Sequence, residues 1–127
     1  MSVKSIFLLL VLSSYSEEAH SQEPSPLKLQ TPITTLTGHE GIIADVTIAA
    51  GAELPAHQHP GDEFLYMLRG SVELSRPDQE TLTLRAGDAF QIAAGTVHTP
   101  RGGPEGARAI VFRVHPQGEQ ITVPVNE

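Results

Sequence analysis

The stretch Gly51-Ala52-Glu53-Leu54-Pro55-Ala56-His57-Gln58-His59-Pro60-Gly61-Asp62-Glu63 gathers two imidazoles and a carboxylate at close spacing. In a strand, residues i and i+2 share a face, so His57 and His59 project side by side. Glu63 has the same parity, and its side chain can return to that face after the Pro60-Gly61-Asp62 turn. Asp62 has the opposite parity and reads as a turn residue. Two imidazoles and one carboxylate on one face suit a transition metal such as iron, manganese, nickel, copper or zinc. An H-x-H pair alone is a weak signal, because two hydrogen-bonded loop histidines read the same way.

Outward from this stretch the chain reads as short strands between turns. The expected strands are Ile33 to Thr37, Ile42 to Ala49, Glu63 to Arg69, Ser71 to Arg76, Thr81 to Arg85, Asp88 to Ile92 and Ala107 to Val114. They are rich in β-branched residues and bounded by Gly, Pro or Asp. The clearest alternation, Val72-Glu73-Leu74-Ser75 and Thr81-Leu82-Thr83-Leu84, flanks Arg76-Pro77-Asp78-Gln79-Glu80, a hairpin connection. With 11 Gly and 10 Pro and no helical period, the pattern predicts an all-β sandwich or small barrel. The run Gln120 to Val125 reads as an edge strand, where Pro124 is tolerated. In Phe64-Leu65-Tyr66-Met67-Leu68 both faces are apolar. One fills the barrel, and the other, with Tyr66 and Leu68, calls for cover from the N-terminal segment or a second copy, so a homodimer is expected.

The chain has 127 residues, enough for one domain. Its net charge of −7 and lack of a basic cluster argue against nucleic acid and anionic membrane surfaces as partners. The absence of cysteine excludes disulfides, thiolate metal sites and a cysteine nucleophile. Lys4 followed by Ile6-Phe7-Leu8-Leu9-Leu10-Val11-Leu12 reads as a secretory signal peptide, residues 1–21, cleaved near Ser21, with Ser16 as the alternative. The apolar run is shorter than the ~20 residues a membrane span needs, so no stable insertion of the mature chain is expected. A periplasmic or secreted address follows. Residues 22–30, with Pro24 and Pro26, read as a flexible segment, and residues 31–127 as the folded domain.

Two motifs then carry a resemblance. The run Gly51-(x)5-His57-x-His59-(x)3-Glu63-(x)6-Gly70 resembles the first cupin motif at every defining position. The run Gly87-(x)5-Ala93-x-Gly95-(x)2-His98-(x)3-Gly102 resembles the second. The family usually has Pro where this chain has Ala93, and often Asn where it has Gly102. Both are turn positions rather than ligands. The resemblance is to small single-domain cupins and covers roughly Thr31 to Val114.

It implies a small antiparallel β-barrel of jelly-roll type, with His57, His59, Glu63 and His98 as ligands to one divalent transition metal per chain. Iron leads, with manganese, nickel or zinc as alternatives. Glu63 could be a fixed ligand or a base, and no other catalytic residue is assigned. The implied function is a metal-dependent enzyme on a small molecule, dioxygenase-like. The alternatives are an oxygen-independent Lewis-acid decarboxylase, lyase or isomerase, and a non-catalytic binder of a metal or small ligand. Of the remaining candidates, His39 reads as an exposed turn histidine and His115 as a surface or dimer contact. Arg101 and Arg108 read as exposed arginines, with an anionic substrate as the minority role. Leu65, Met67, Phe90, Ile92 and Phe112 read as pocket lining or barrel filling.

Overall fold

The computed structural model describes residues 27–126. Eight strands follow in order: β1 (Leu27–Pro32), β2 (His39–Ile48), β3 (His57–Gln58), β4 (Asp62–Ser75), β5 (Leu82–Arg85), β6 (Ala89–Ile92), β7 (Thr99–Pro116) and β8 (Val123–Pro124). All pairings are antiparallel, and there is no helix among the described residues. The large sheet runs β1-β2-β7-β4-β5, with β6 on the other half of β4, and β3 pairs with β8 in a small second sheet. This is the all-β jelly-roll barrel that the motifs imply.

Two long strands organise it. β7 pairs with β2 along one edge and β4 along the other. Bulges between Met67 and Arg69 and between Gly70 and Val72 bend β4, so its first half meets β6 and its second half β5. A bulged strand twists and turns a sheet corner, which is how a flat pair rolls into a barrel. The expected strands Glu63 to Arg69 and Ser71 to Arg76 are therefore one bent strand. Alternation holds along its first half, and across the bulges the inward set shifts to Val72 and Leu74. Glu63, Leu65 and Met67 face inward, while Phe64, Tyr66 and Leu68 face out.

Inside, Ile48, Met67, Val72, Leu84, Ala107 and Ala109 form the buried cluster, with Leu54, Leu65, Leu82 and Phe90 packed against it. The barrel is not filled solid. A cavity of about 680 Å³ runs through it, walled by Leu65, Met67, Ile92 and Val111 among others. Small barrels of this kind either fill with side chains or hold a ligand, and this one holds space for a ligand.

Several expectations need correction. Leu27–Pro32 is a strand on the sheet edge, although residues 22–30 read as flexible. The alternation Leu27-Lys28-Leu29-Gln30 and pairing with Ile42 and Ile43 outweigh the nearby prolines. Ile33 to Thr37 is a chain of turns instead, closed by Leu36 N–H to the Ile33 carbonyl and His39 N–H to the Leu36 carbonyl. His115 is buried, not on the surface, and its Nε2 bonds the Glu119 carbonyl at 2.9 Å. His39 opens β2 half-buried rather than sitting free in a turn. Asp62 opens β4, where its Oδ1 accepts the Ala94 N–H at 2.9 Å. Phe112 faces out and neither lines the cavity nor fills the barrel, whereas Phe90 packs on the core as barrel filling. Tyr66 and Leu68 are 51% and 42% exposed, and no described segment of the chain covers them. The expected signal peptide, residues 1–21, lies outside the described residues.

Candidate metal centre

The Pro60-Gly61-Asp62 turn brings β4 back beneath β3. Gly61 is required there, because a Cβ would lie 1.8 Å from the Val114 carbonyl oxygen of β7. The second motif closes over the first. His57 N–H donates to the His98 carbonyl (3.1 Å) and His98 N–H to the His57 carbonyl (2.9 Å). Gly95 N–H donates to the His59 carbonyl at 2.8 Å. Gly102 explains one departure from the family pattern. A Cβ there would lie 2.2 Å from the Ala49 carbonyl oxygen, so Asn does not fit this backbone.

These contacts bring His57, His59 and His98 together. Their ligand nitrogens lie within 4.8 Å of one another, and the rings contact pairwise with centroids 4.3 to 5.3 Å apart. Each ring is held by a backbone carbonyl at Nδ1: Pro55 for His57 (2.7 Å), Ile121 for His59 (2.7 Å) and Thr96 for His98 (2.8 Å). A carbonyl only accepts, so Nδ1 carries the proton and Nε2 keeps its lone pair. That is the orientation a metal-ligating histidine takes. Burial lowers His57 and pushes His98 down to about 4, so both stay neutral donors near pH 7.

Glu63 stands beside the three. Its Oε2 lies 3.1 Å from His59 Nε2 and 2.6 Å from Arg113 Nε. Burial alone would raise its carboxyl. The contact with His59 and the charge of Arg113 outweigh this and hold it at about 2. His59 Nε2 is buried and receives no hydrogen bond. With Nδ1 carrying the proton, two acceptors face each other across 3.1 Å. Such a pair calls for a cation between them, either a proton on the ring or a metal ion. The three histidines therefore fit a divalent metal ion, whereas Glu63, expected as a fourth ligand, lies against His59 and Arg113 and is not part of the convergent cluster.

Sequence reasoning missed Arg113. It sits directly opposite Glu63 in the β4–β7 register, and its side chain, only 12% exposed, lines the cavity. The signal was there: Ala107, Ala109, Val111 and Arg113 form one inward stripe of β7. A lone cation ending an apolar stripe points into whatever the stripe encloses. Of the arginines considered for an anion, Arg108 holds Asp45 outside the barrel and Arg101 is exposed. Neither lines the cavity.

With this geometry, the comparison with known proteins is direct. Residues 44–115 match the model of the Cupin domain family. The chain is a cupin. Among solved structures it is similar to an uncharacterised double-stranded β-helix protein from Klebsiella pneumoniae subsp. pneumoniae MGH 78578. That match has 21% identity and TM-score 0.61, and covers 98% of this chain and 100% of that one. It is also similar to the DMSP lyase DddQ from Ruegeria pomeroyi DSS-3, with 25% identity and TM-score 0.57. That match covers 71% of this chain and 46% of the lyase, so the cupin spans less than half of the lyase's length. The polyketide cyclase RemF from Streptomyces resistomycificus has 19% identity and TM-score 0.58, with 81% of each chain covered. At 21% and 19% identity, the Klebsiella protein and the cyclase speak to the fold alone. No curated protein sequence matches this cupin.

Proposed function

We propose that this cupin is a metal-dependent enzyme acting on a small, largely apolar molecule, with oxidative cleavage by dioxygen as its reaction. The observation that carries the reading is the convergence of three imidazole Nε2 atoms on one wall of the 680 Å³ cavity. His57, His59 and His98 would hold the metal, with Glu63 beside them and iron the leading occupant. When bound, iron would supply redox chemistry toward dioxygen, whereas manganese, nickel or zinc would supply a Lewis acid. Leu65, Met67 and Val111 would hold the apolar body of the substrate and exclude water. The export reading, from Lys4 and the apolar run Ile6 to Leu12, would put the enzyme outside the cytoplasm.

The reaction type follows from what else lines the cavity. Elimination or protonation chemistry needs a carboxylate or imidazole free to move a proton. Among the described lining residues the one carboxylate is Glu63, and its Oε2 is held by Arg113. The imidazoles are those of the metal site. Oxidative cleavage of an enol or catechol, with both oxygen atoms entering the products, makes no such demand once the substrate arrives ionised. The similarity to the lyase favours a second reading, oxygen-independent lyase or decarboxylase chemistry.

The test is metal analysis of the chain purified without chelators or a histidine tag, followed by an oxygen electrode. About one ion per chain is expected, absent in His57→Ala and His98→Ala. The iron-loaded protein is expected to consume oxygen with a catechol, flavonol or β-diketone. Anaerobic turnover with manganese, nickel or zinc would replace the first reading by the second. A metal-loaded protein inert in both screens would leave a metal or ligand binder.

A further inference from the structure

We propose that Arg113 is a substrate anchor, and that the cavity takes an apolar organic acid with its carboxylate on the Arg113 guanidinium. The inference rests on the metal-enzyme reading and names its substrate class.

The guanidinium is half used. Nε donates to Glu63 Oε2 at 2.6 Å, and the two Nη nitrogens donate to no described residue. They are not sealed off either, since the side chain lines the cavity. Arg108, on the same strand, shows the contrast. It donates through both Nε (3.0 Å) and Nη2 (2.8 Å) to the two oxygens of Asp45, which leaves that fork occupied. Guanidinium is a planar fork whose free edge matches a carboxylate in bidentate fashion. Glu63 thus fixes the plane of Arg113 through one edge and leaves another edge for a ligand.

Charge points the same way. Glu63 and Arg113 cancel, and an imidazole that ligates a metal through its lone pair carries no charge of its own. A divalent ion at the histidines would leave an excess of two positive charges in an apolar cavity. Uncompensated charge in such surroundings is costly, so the site favours an anionic ligand. Among the described residues no lysine and no other arginine lines the cavity. Apart from Arg113, Glu63, the three histidines and Thr122, the described lining is apolar, with Leu65, Met67, Val72, Leu74 and Val111 suited to an apolar body.

Titration calorimetry with benzoate and its neutral counterpart benzamide tests the proposal. The proteins are wild type, Arg113→Lys, Arg113→Met and the Glu63→Gln/Arg113→Met pair, each metal-free and metal-loaded. The double variant removes both buried charges, so it stays testable if Arg113→Met alone does not fold. In the wild type, benzoate is expected to bind about 10–100-fold more tightly than benzamide, the range of a charge-assisted hydrogen-bond pair. Arg113→Met and the double variant should abolish that preference, and Arg113→Lys should restore part of it. Equal binding of acid and amide by the wild type would overturn the proposal. So would an acid preference that survives Arg113→Met, since the metal would then be holding the acid. If Arg113 only positioned Glu63, Arg113→Met would weaken metal binding and leave the acid-to-amide ratio of the metal-free protein unchanged. An Arg113-dependent preference in a protein that binds no metal would leave the anchor standing and remove the metal reading.

Discussion

On the outer side of the barrel, Asp45 and Arg108 share two hydrogen bonds within reach of water. On the inner side, Glu63 and Arg113 share one, and Glu63 is only 5% exposed. The two pairs use the same chemistry on neighbouring strands, yet their surroundings give them different meaning. The outer pair is screened and contributes little to stability. The inner pair has given up its hydration, and its attraction roughly offsets that cost. A pair that adds little stability and sits beside three converging histidines is best explained by the site it serves. The aromatic residues divide the same way. Phe64 and Phe112 lie outside with centroids 6.2 Å apart, while the inner faces of the same strands carry aliphatic residues, Glu63 and Arg113.

The largest effect expected from this contrast is on metal binding. His59→Ala or His98→Ala should lower metal affinity by more than ~100-fold, the upper range for losing a mere supporting partner. His39→Ala, outside the cluster, should leave the metal content unchanged. Plasma mass spectrometry of dialysed protein checks both, and metal retained by His98→Ala would dissolve the distinction between inner and outer histidines.

Next in size is stability. Arg113→Met strands a buried carboxylate and should cost about 3–5 kcal/mol in urea unfolding. The Glu63→Gln/Arg113→Met pair should recover most of that loss. Arg108→Met should leave the unfolding midpoint where it is. Equal losses at both arginines would mean that burial is not what separates the two pairs.

Acid should act mainly on the inner site. Arg108 also lowers the Asp45 carboxyl, but that exposed pair is screened by solvent. Glu63 in the fold lies at about 2, below its ordinary 4.5. Its contribution is therefore complete above pH 4.5 and lost as the pH falls toward 2. His57 and His98 lie below 6.5, His98 at about 4. The unfolded chain takes up those protons first, so the metal-free fold loses stability as the pH falls from 6.5 toward 4. Thermal melts of chelator-treated protein should show both limbs. His98→Asn should flatten the upper one, and the double variant at Glu63 and Arg113 the lower one. A flat profile in the wild type would contradict the burial of these groups.

How much of this was legible beforehand depended on the range of the interaction. The inward parity of His57, His59 and Glu63 and the spacing of both motifs are local, and they point to the barrel and to three converging histidines. Two of the ring anchors are local as well, since His57 and His98 each bond the carbonyl two residues back. His39 does the same with Thr37, so that habit alone does not mark a ligand. The anchor that singles out His59 is Ile121, 62 residues away in the segment before β8, and no spacing rule reaches it. Arg113 was readable from the parity of its own strand, but its partner Glu63 lies 50 residues back, and only the β4–β7 register joins them. The failed strand at Ile33 to Thr37 has a similar cause. Its composition suits a strand, but Leu27–Pro32 already pairs with the available edge of β2.

The smallest effect belongs to the outer aromatics. Phe64 and Phe112 are 39% and 38% exposed, and their contact is half open to solvent. Phe64→Ser should therefore cost less than ~1 kcal/mol in the single chain, at the low end for a site with so little to lose. Truncating Met67, the inward residue three positions on and 1% exposed, should cost ~2–5 kcal/mol as Met67→Ala, reduced toward the lower figure because the site already borders a cavity. Urea unfolding of both variants over a hundredfold range of protein concentration gives the ratio of the two faces. If Phe64→Ser proves nearly as costly as Met67→Ala and the cost fades on dilution, a second copy covers the outer face, because only an associating surface makes stability depend on concentration. If the cost is small at every concentration, the outer aromatics are solvated, and the chemistry of this barrel is confined to its interior.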